Sequence, residues 1–321
     1  MKFILHGDES FHLAPFRFPW AYSMAQASLK NHWHPQEVPM GGDKACYDTQ
    51  LTPDEKHLFK YVFASLTTSD LAVASNLTER FYGLVKAAEI RLYLSRQIAE
   101  EGLHSLSYQH VIESLGMDQD EVYHLYQRVP EIAGWFEFAE RHMEYDDVLI
   151  PLIFSYGIWE GVFFPTAFAS IFSLQRRNLM TGTGSQLQYI FRDESMHVAF
   201  GVKLLESIFD EIGRNPEQNI VHNMFATALE YIAEWAKRCI PTVLGYSADL
   251  HVQHSKYLAD RRLKSLGYDP LFCAQPALTW LDEQVSIKKE RNFFEQRVIE
   301  YQAAGDLQFE DNNMTDVVNW K

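Results

Sequence analysis

Ala99-Glu100-Glu101-Gly102-Leu103-His104-Ser105-Leu106-Ser107-Tyr108 is the stretch on which the fold turns. Read as a helix, it sets Glu101, His104 and Tyr108 at i, i+3 and i+7. Those offsets share one face, about two turns long. A carboxylate, an imidazole and a phenol on one face serve packing poorly. They suit a metal site with an oxidisable ring beside it.

The stretch has an echo. Arg192-Asp193-Glu194-Ser195-Met196-His197 supplies a second Glu-x-x-His, 93 residues after the first. Each copy follows an acid standing alone among apolar residues: Asp70 lies 31 residues before Glu101, and Glu160 lies 34 before Glu194. Acid, Glu-x-x-His, acid, Glu-x-x-His on four long helices is the ligand order of ferritin-like di-metal carboxylate proteins. One Glu-x-x-His arises easily by chance. Two copies, each with an embedded acid one helix upstream, do not.

Composition sets the bounds. A chain of 321 residues with 47% hydrophobic content can bury a thick core. The net charge of −15 argues against a nucleic-acid partner. Cys46, Cys239 and Cys273 are far apart, form no Cys-x-x-Cys, and point to a reducing compartment. The opening Met1-Lys2-Phe3-Ile4-Leu5 runs straight into His6-Gly7-Asp8-Glu9 without the pattern of a leader, so the expected location is the cytoplasm.

Residues 148–172 carry one charge, Glu160, over a length that would cross a bilayer. Pro151, Gly157 and Pro165 interrupt the segment, Asp146-Asp147 flanks it with the wrong sign, and no second span accompanies it. A central bundle helix is expected instead, and no membrane. Glu160 is then a carboxylate in oil, which must be paired, protonated or bound to metal.

Taken in order, residues 1–14 should be an extended arm, and Pro19 opens a helix to about Trp33 that His34-Pro35 stops. Residues 35–51 read as a surface loop. Thr52-Pro53-Asp54-Glu55 is a helix start with three agreeing signals, leading through Asp70 toward Glu79. The next helix spans 84–115 and Gly116 ends it. Short amphipathic helices follow to about Arg141, broken at Pro130 and Gly134. The apolar Glu160 helix comes next, then Thr181-Gly182-Thr183-Gly184 as a turn, then a helix with Glu194 and His197 to about Ile212. Further helices are expected near 220–238 and 255–266, and residues 281–300 are charged and amphipathic. Hairpin signals are missing, so the chain reads as all-α: a helical domain over residues 1–300 and a tail over 301–321 that docks on a partner.

Four carboxylates and two neutral imidazoles hold two divalent first-row ions near charge balance, and oxygen and nitrogen donors suit iron or manganese. Tyr108 lies against that site and can lose an electron to it. A lasting radical needs a water-poor cage. Phe164 and Phe168, at i+4 and i+8 from Glu160, and Leu187 and Ile190, at i−7 and i−4 from Glu194, are expected to line one.

At these residues the chain resembles the small, radical-generating subunit of class I ribonucleotide reductase, over nearly its whole length. Asp70, Glu101, His104, Glu160, Glu194 and His197 fall on that family's metal-ligand positions, and Tyr108 falls on its radical tyrosine. Phe164, Phe168 and Ile190 match its apolar pocket. By the same resemblance Asp193 would link His104 to Trp33, within Asn31-His32-Trp33-His34-Pro35-Gln36-Glu37. Tyr301 would be the tail tyrosine that hands the oxidising equivalent to the large catalytic subunit, where a ribonucleotide loses its 2′-hydroxyl. The resemblance also implies a homodimer and allows for a flavoprotein activator.

The strings Glu160-Gly161-Val162-Phe163-Phe164 and Arg192 to Gly201 are most similar to a subgroup whose radical tyrosine is replaced and whose manganese–iron pair stores the equivalent. Here Tyr108 is present, and Asp70 stands where that subgroup often has Glu. The implied cofactor is therefore a pair of iron ions with a tyrosyl radical, with di-manganese and manganese–iron as alternatives. A di-metal oxidase of the same fold working without a partner is the competing function. A ferritin-type metal store and a di-iron hydroxylase or desaturase are weaker, since neither has a use for Tyr108 beside the metals.

Overall fold

Pro19 has no N–H to lose, and it opens helix α1 (Pro19–Lys30) in the computed structural model, which describes residues 4–6 and 11–281. The helix stops three residues short of the expected Trp33. Arg192 captures the carbonyl of Asn31, and the chain turns inward so that Trp33 is buried. The expected surface loop over 35–51 is more ordered than its prolines and glycines indicate, for it contains α2 (Asp43–Thr49).

Thr52 and Glu55 close the capping box that starts α3 (Pro53–Asn76): Thr52 Oγ1 accepts from the Glu55 N–H at 3.2 Å, and the Glu55 carboxylate accepts from the Thr52 N–H at 2.8 Å. A wide π-turn over Leu77–Phe81 and a last turn, α4 (Tyr82–Leu84), prolong it. Next comes α5 (Ala88–Leu115), ended by Gly116 at φ 64° as expected. It is followed by α6 (Gln119–Arg128) and α7 (Pro130–Met143). Gly134 does not break α7. An interior glycine costs a helix only about 1 kcal/mol, and the buried apolar face of α7, with Ile132, Trp135 and Phe138, outweighs it.

The apolar segment Leu149–Gln175 is helical throughout, and its most apolar window lies wholly inside the protein. It is a core helix in three parts: α8 (Leu149–Ile153), a π-helical stretch over Phe154–Phe163, and α9 (Phe164–Gln175). Pro165 explains part of this winding. It cannot donate to Gly161 four residues back, and the Gly161 carbonyl accepts instead from Arg262 Nε at 3.0 Å.

The expected turn at Thr181–Gly184 is the first turn of α10 (Thr181–Ile212). Its N–H groups are capped from afar. Asp43 accepts from the N–H groups of Gly182 at 2.9 Å and Thr183 at 2.6 Å. The glycines serve close approach: a Cβ on Gly182 would lie 2.6 Å from the Pro39 carbonyl oxygen. Helices α11 (Gln218–Cys239) and α12 (Ala248–Ser265) complete the described part. Among the described residues there is no strand beyond one isolated bridge, Val243 to Tyr246. Residues 282–321, with nearly all of the amphipathic stretch 281–300, Tyr301 and the tail, lie outside the described residues, as do parts of the N-terminal arm.

Packing places the chemistry. Helix α3 runs along α5, α10 lies against the π-helical stretch, and α12 covers that stretch from behind. The four elements carrying Asp70, the two Glu-x-x-His repeats and Glu160 thus face one another across a ferritin-like bundle.

Candidate metal centre

Each of the six acids and histidines is buried to within 1% of full enclosure. They form two overlapping groups. Asp70, Glu101, His104 and Glu194 bring donor atoms within 4.8 Å of one another, and so do Glu101, Glu160, Glu194 and His197. Glu101 and Glu194 belong to both, which is the placing of carboxylates that bridge two ions.

The imidazoles point the same way. His104 Nδ1 lies 3.2 Å from Asp70 Oδ1 and 3.2 Å from Glu194 Oε1. His197 Nδ1 lies 3.2 Å from Glu101 Oε1 and 3.3 Å from Glu194 Oε2. The far nitrogens meet other carboxylates. His104 Nε2 is 3.4 Å from Asp193 Oδ2, and His197 Nε2 is 3.0 Å from Glu100 Oε2. An outer carboxylate that accepts a hydrogen bond from Nε2–H fixes the tautomer with a lone pair on Nδ1, aimed at the centre.

Protons occupy the metal-free site as charge demands. Burial, then the charge of Glu101, pushes the Asp70 carboxyl up to about 8. Burial also lifts Glu160 well above the carboxylate range, and Glu194 and Glu101 add to it. Burial alone would lower both histidines, but the carboxylates hydrogen-bonded to them outweigh it and raise them. Burial likewise works to raise Glu101, yet the imidazoles of His104 and His197 beside it hold it below its usual value. Asp70 Oδ2, both Glu101 oxygens, Glu160 Oε2 and Glu194 Oε1 have no aligned hydrogen bond. Buried acceptors left this way cost free energy unless a cation takes them up. Two divalent ions would balance the four carboxylates, so the donor set fits a di-metal centre.

Comparison with known proteins agrees. The family model described as ribonucleotide reductase, small chain, matches residues 10–289. The chain belongs to the ribonucleotide reductase small-chain family. This small chain is 33% identical to the ribonucleoside-diphosphate reductase subunit beta of Chlamydia pneumoniae, over 92% of its own length and 91% of the relative's. It is 33% identical to the ribonucleoside-diphosphate reductase small chain of Nicotiana tabacum, over 92% and 89%. In fold it matches the ribonucleotide reductase R2 subunit from Clostridium botulinum with a TM-score of 0.80 at 22% identity, over 88% and 94% of the two chains. The dimanganese(II) NrdF of Streptococcus sanguinis matches with a TM-score of 0.74 at 17% identity, over 87% and 99%.

The other expected site residues of the small chain fall as follows. Trp33 Nε1 donates to Asp193 Oδ2 at 2.7 Å, so Trp33, Asp193 and His104 form one line. Arg192 holds the other oxygen of Asp193 at 2.9 Å, and Trp33 stacks on Tyr189 at 5.0 Å. Tyr108 Oη donates to Asp70 Oδ1 at 3.3 Å. Phe164, Phe168, Leu187 and Ile190 are fully buried, with Phe164 and Phe168 stacked at 5.9 Å. The ring set edge-on to Tyr108, 6.0 Å away, is Phe63.

Sequence reasoning missed Phe63, Glu100 and Gln97. Glu100 had a signal: it precedes Glu101 as Asp193 precedes Glu194. Gln97 Nε2 donates to Glu160 Oε1 at 3.0 Å. Nothing in a glutamine one turn before Glu101 announces that role.

Proposed function

We propose that this chain is the radical-generating subunit of a class I ribonucleoside-diphosphate reductase, that its centre holds two iron ions, and that Tyr108 stores the oxidising equivalent. The observation that carries the reading is Tyr108 itself. Its ring is fully buried beside the centre, and its hydroxyl has a carboxylate, Asp70, as acceptor. Oxidation of a phenol releases one electron and one proton, and Asp70 Oδ1 stands where the proton must go. When bound, the metal pair supplies the oxidant, made from dioxygen.

The protein's own groups do the rest. Asp70, Glu101, His104, Glu160, Glu194 and His197 hold the ions. Asp193 orients His104 and joins it to Trp33, which is the hydrogen-bonded way out of the core. The apolar residues around the site, among them Phe63, Phe164, Phe168, Leu187 and Ile190, keep water from a stored radical. The equivalent then passes to a large catalytic subunit, with Tyr301 as the relay in the docking tail. The chain carries no nucleotide-binding motif of its own, in keeping with substrate bound elsewhere.

Three further points belong to the same proposal. The chain acts as a homodimer, in keeping with the large apolar side chains of Leu71 on α3 and Leu92 and Leu106 on α5, which are left exposed. It works in the cytoplasm, in keeping with three free cysteines. There is room for a flavoprotein activator as a further partner.

The test is metal analysis with electron paramagnetic resonance, on protein from its own host and on metal-free protein given ferrous iron and air. A tyrosyl signal present in the wild type and lost in Tyr108→Phe supports the reading. A manganese-coupled signal, or active protein with manganese and no tyrosyl signal, overturns the choice of iron and moves the stored oxidant onto the metals. A pull-down with the large subunit separates the reductase from an oxidase that needs no partner.

A further inference from the structure

Two acids stand outside the Glu-x-x-His repeats, and a phenol is attached to each by a different route. Tyr108 donates directly to Asp70. Glu160 is reached through an amide. Gln97 Nε2 donates to Glu160 Oε1 at 3.0 Å, and Tyr156 Oη donates to Gln97 Oε1 at 3.0 Å. All three side chains are fully buried.

A carboxamide has two ends of nearly the same shape and opposite hydrogen-bonding sense. Only its partners decide which end faces which way. Here the phenol proton engages the oxygen end of Gln97, so the NH2 end must face Glu160. With Oε1 of Glu160 taken, Oε2 is left with no hydrogen bond. That oxygen lies 3.7 Å from His197 Nδ1, on the side where the metal donors gather.

The phenol is itself fixed. Tyr156 sits four residues before Glu160 on the π-helical stretch, where the wide turn brings both onto neighbouring positions of one face. Gly201 on α10 makes room for the ring: a Cβ there would lie 2.0 Å from Tyr156 Cγ. Phe200 meets the ring edge-on at 6.3 Å. Gln97 lies one turn before Glu101 on α5, a carboxylate common to both donor groups. The relay thus ties two of the four ligand-bearing elements together behind the ligands.

We propose that Tyr156 and Gln97 are positioning residues for one metal: the phenol locks the amide, and the amide holds Glu160 Oε1 so that Oε2 is presented to the ion. This rests on the di-metal reading of the centre. It gives Glu160 a phenol that acts through an amide, where Asp70 meets its phenol directly.

The experiment is anaerobic titration of the full metal-free chain with ferrous iron or manganese(II) alone, followed by calorimetry, with the thermal midpoint of the metal-free protein measured beside it. Wild type is expected to take two ions per chain. Gln97→Leu should weaken one of them about 10–100-fold and spare the other, the range found for partners that orient metal ligands. Tyr156→Phe should weaken the same ion by less, because the amide keeps its donor and loses only what orients it.

Wild-type affinity in Tyr156→Phe overturns the proposal, since the phenol would then set nothing, and leaves the di-metal reading intact. Equal weakening of both ions, with a lower midpoint in the metal-free protein, overturns it in favour of a merely structural role. Fewer than two ions bound by wild type overturns the di-metal reading itself.

Discussion

Glu100 supports His197, a histidine of the other Glu-x-x-His repeat, with 3.0 Å between Glu100 Oε2 and His197 Nε2. Asp193 returns the relation by facing His104 across the bundle. Each repeat therefore carries a ligand pair and the support for its opposite number. Glu100 is in turn held by Ser28 Oγ at 2.6 Å and by Arg96 at 3.1 Å. Removing one outer carboxylate should act across the repeats. Glu100→Ala should weaken the ion held by His197 about 10–100-fold, and Asp193→Ala the ion held by His104. Competition with a chelator, read ion by ion, checks this. An effect of Glu100→Ala confined to the His104 ion would refute the crossed arrangement.

Tyr108→Phe removes one buried hydroxyl whose hydrogen bond to Asp70 is long. The variant should fold, bind two ions, and lie within about 1.5 kcal/mol of wild type in stability. It should lose the tyrosyl signal. Denaturant unfolding and electron paramagnetic resonance on one preparation give both answers.

Metal uptake should release protons. At pH 7 the metal-free Asp70 carboxyl, raised to about 8, is mostly protonated, and both centre histidines are also raised. Binding must displace these protons, so affinity should climb as pH rises from 6 through 8. Titration of metal into weakly buffered protein with a pH indicator measures the release directly. Saturating metal should also raise the thermal midpoint. At free metal about 100 times the dissociation constant, one site adds roughly 2.7 kcal/mol.

Acid should find a weak point outside the ligand set. His251 is fully buried, and burial lowers it to about 3; burial lowers His254 to about 4. Both values lie below the roughly 6.5 of an unfolded histidine. Between those limits the unfolded chain binds more protons, so stability falls as pH drops from about 6.5 toward 4. Each histidine contributes a slope of up to about 1.4 kcal/mol per pH unit. Tyr246 accepts from His251 Nδ1 at 2.9 Å and donates to the Thr166 carbonyl at 3.1 Å, so a neutral glutamine is the gentlest replacement. His251→Gln should show a shallower loss of midpoint between pH 6.5 and 4 than wild type.

What could be read from residues alone was what repeats or caps locally. The Thr52-Glu55 box, the Gly116 stop and the six centre residues follow from spacing within a helix turn or between like motifs. The end of α1, the order within 35–51 and the start of α10 do not. Each depends on a residue distant in sequence: Arg192 draws in Asn31, and Asp43 caps Gly182 and Thr183 from some 140 residues away. A Gly-rich string looks like a turn until the helix it opens is seen to pass so near another backbone that a Cβ on Gly182 would lie 2.6 Å from the Pro39 carbonyl oxygen. The support of Glu160 was hidden for a similar reason, since a glutamine shows its partners only once the helices are assembled.

The π-helical stretch over Phe154–Phe163 governs angle as well as shape. An α-helix advances about 100° per residue, and a helix closed over five residues advances less. Over the stretch the difference accumulates, so it acts as a phase shifter between the side chains of α8 and those of α9. Glu160 sits inside it, with its carboxylate among the donors of Glu101, Glu194 and His197. Losing one residue there would swing Glu160 by roughly a quarter turn relative to α9. The length of this segment is thus as much a part of the ligand set as the carboxylate it carries.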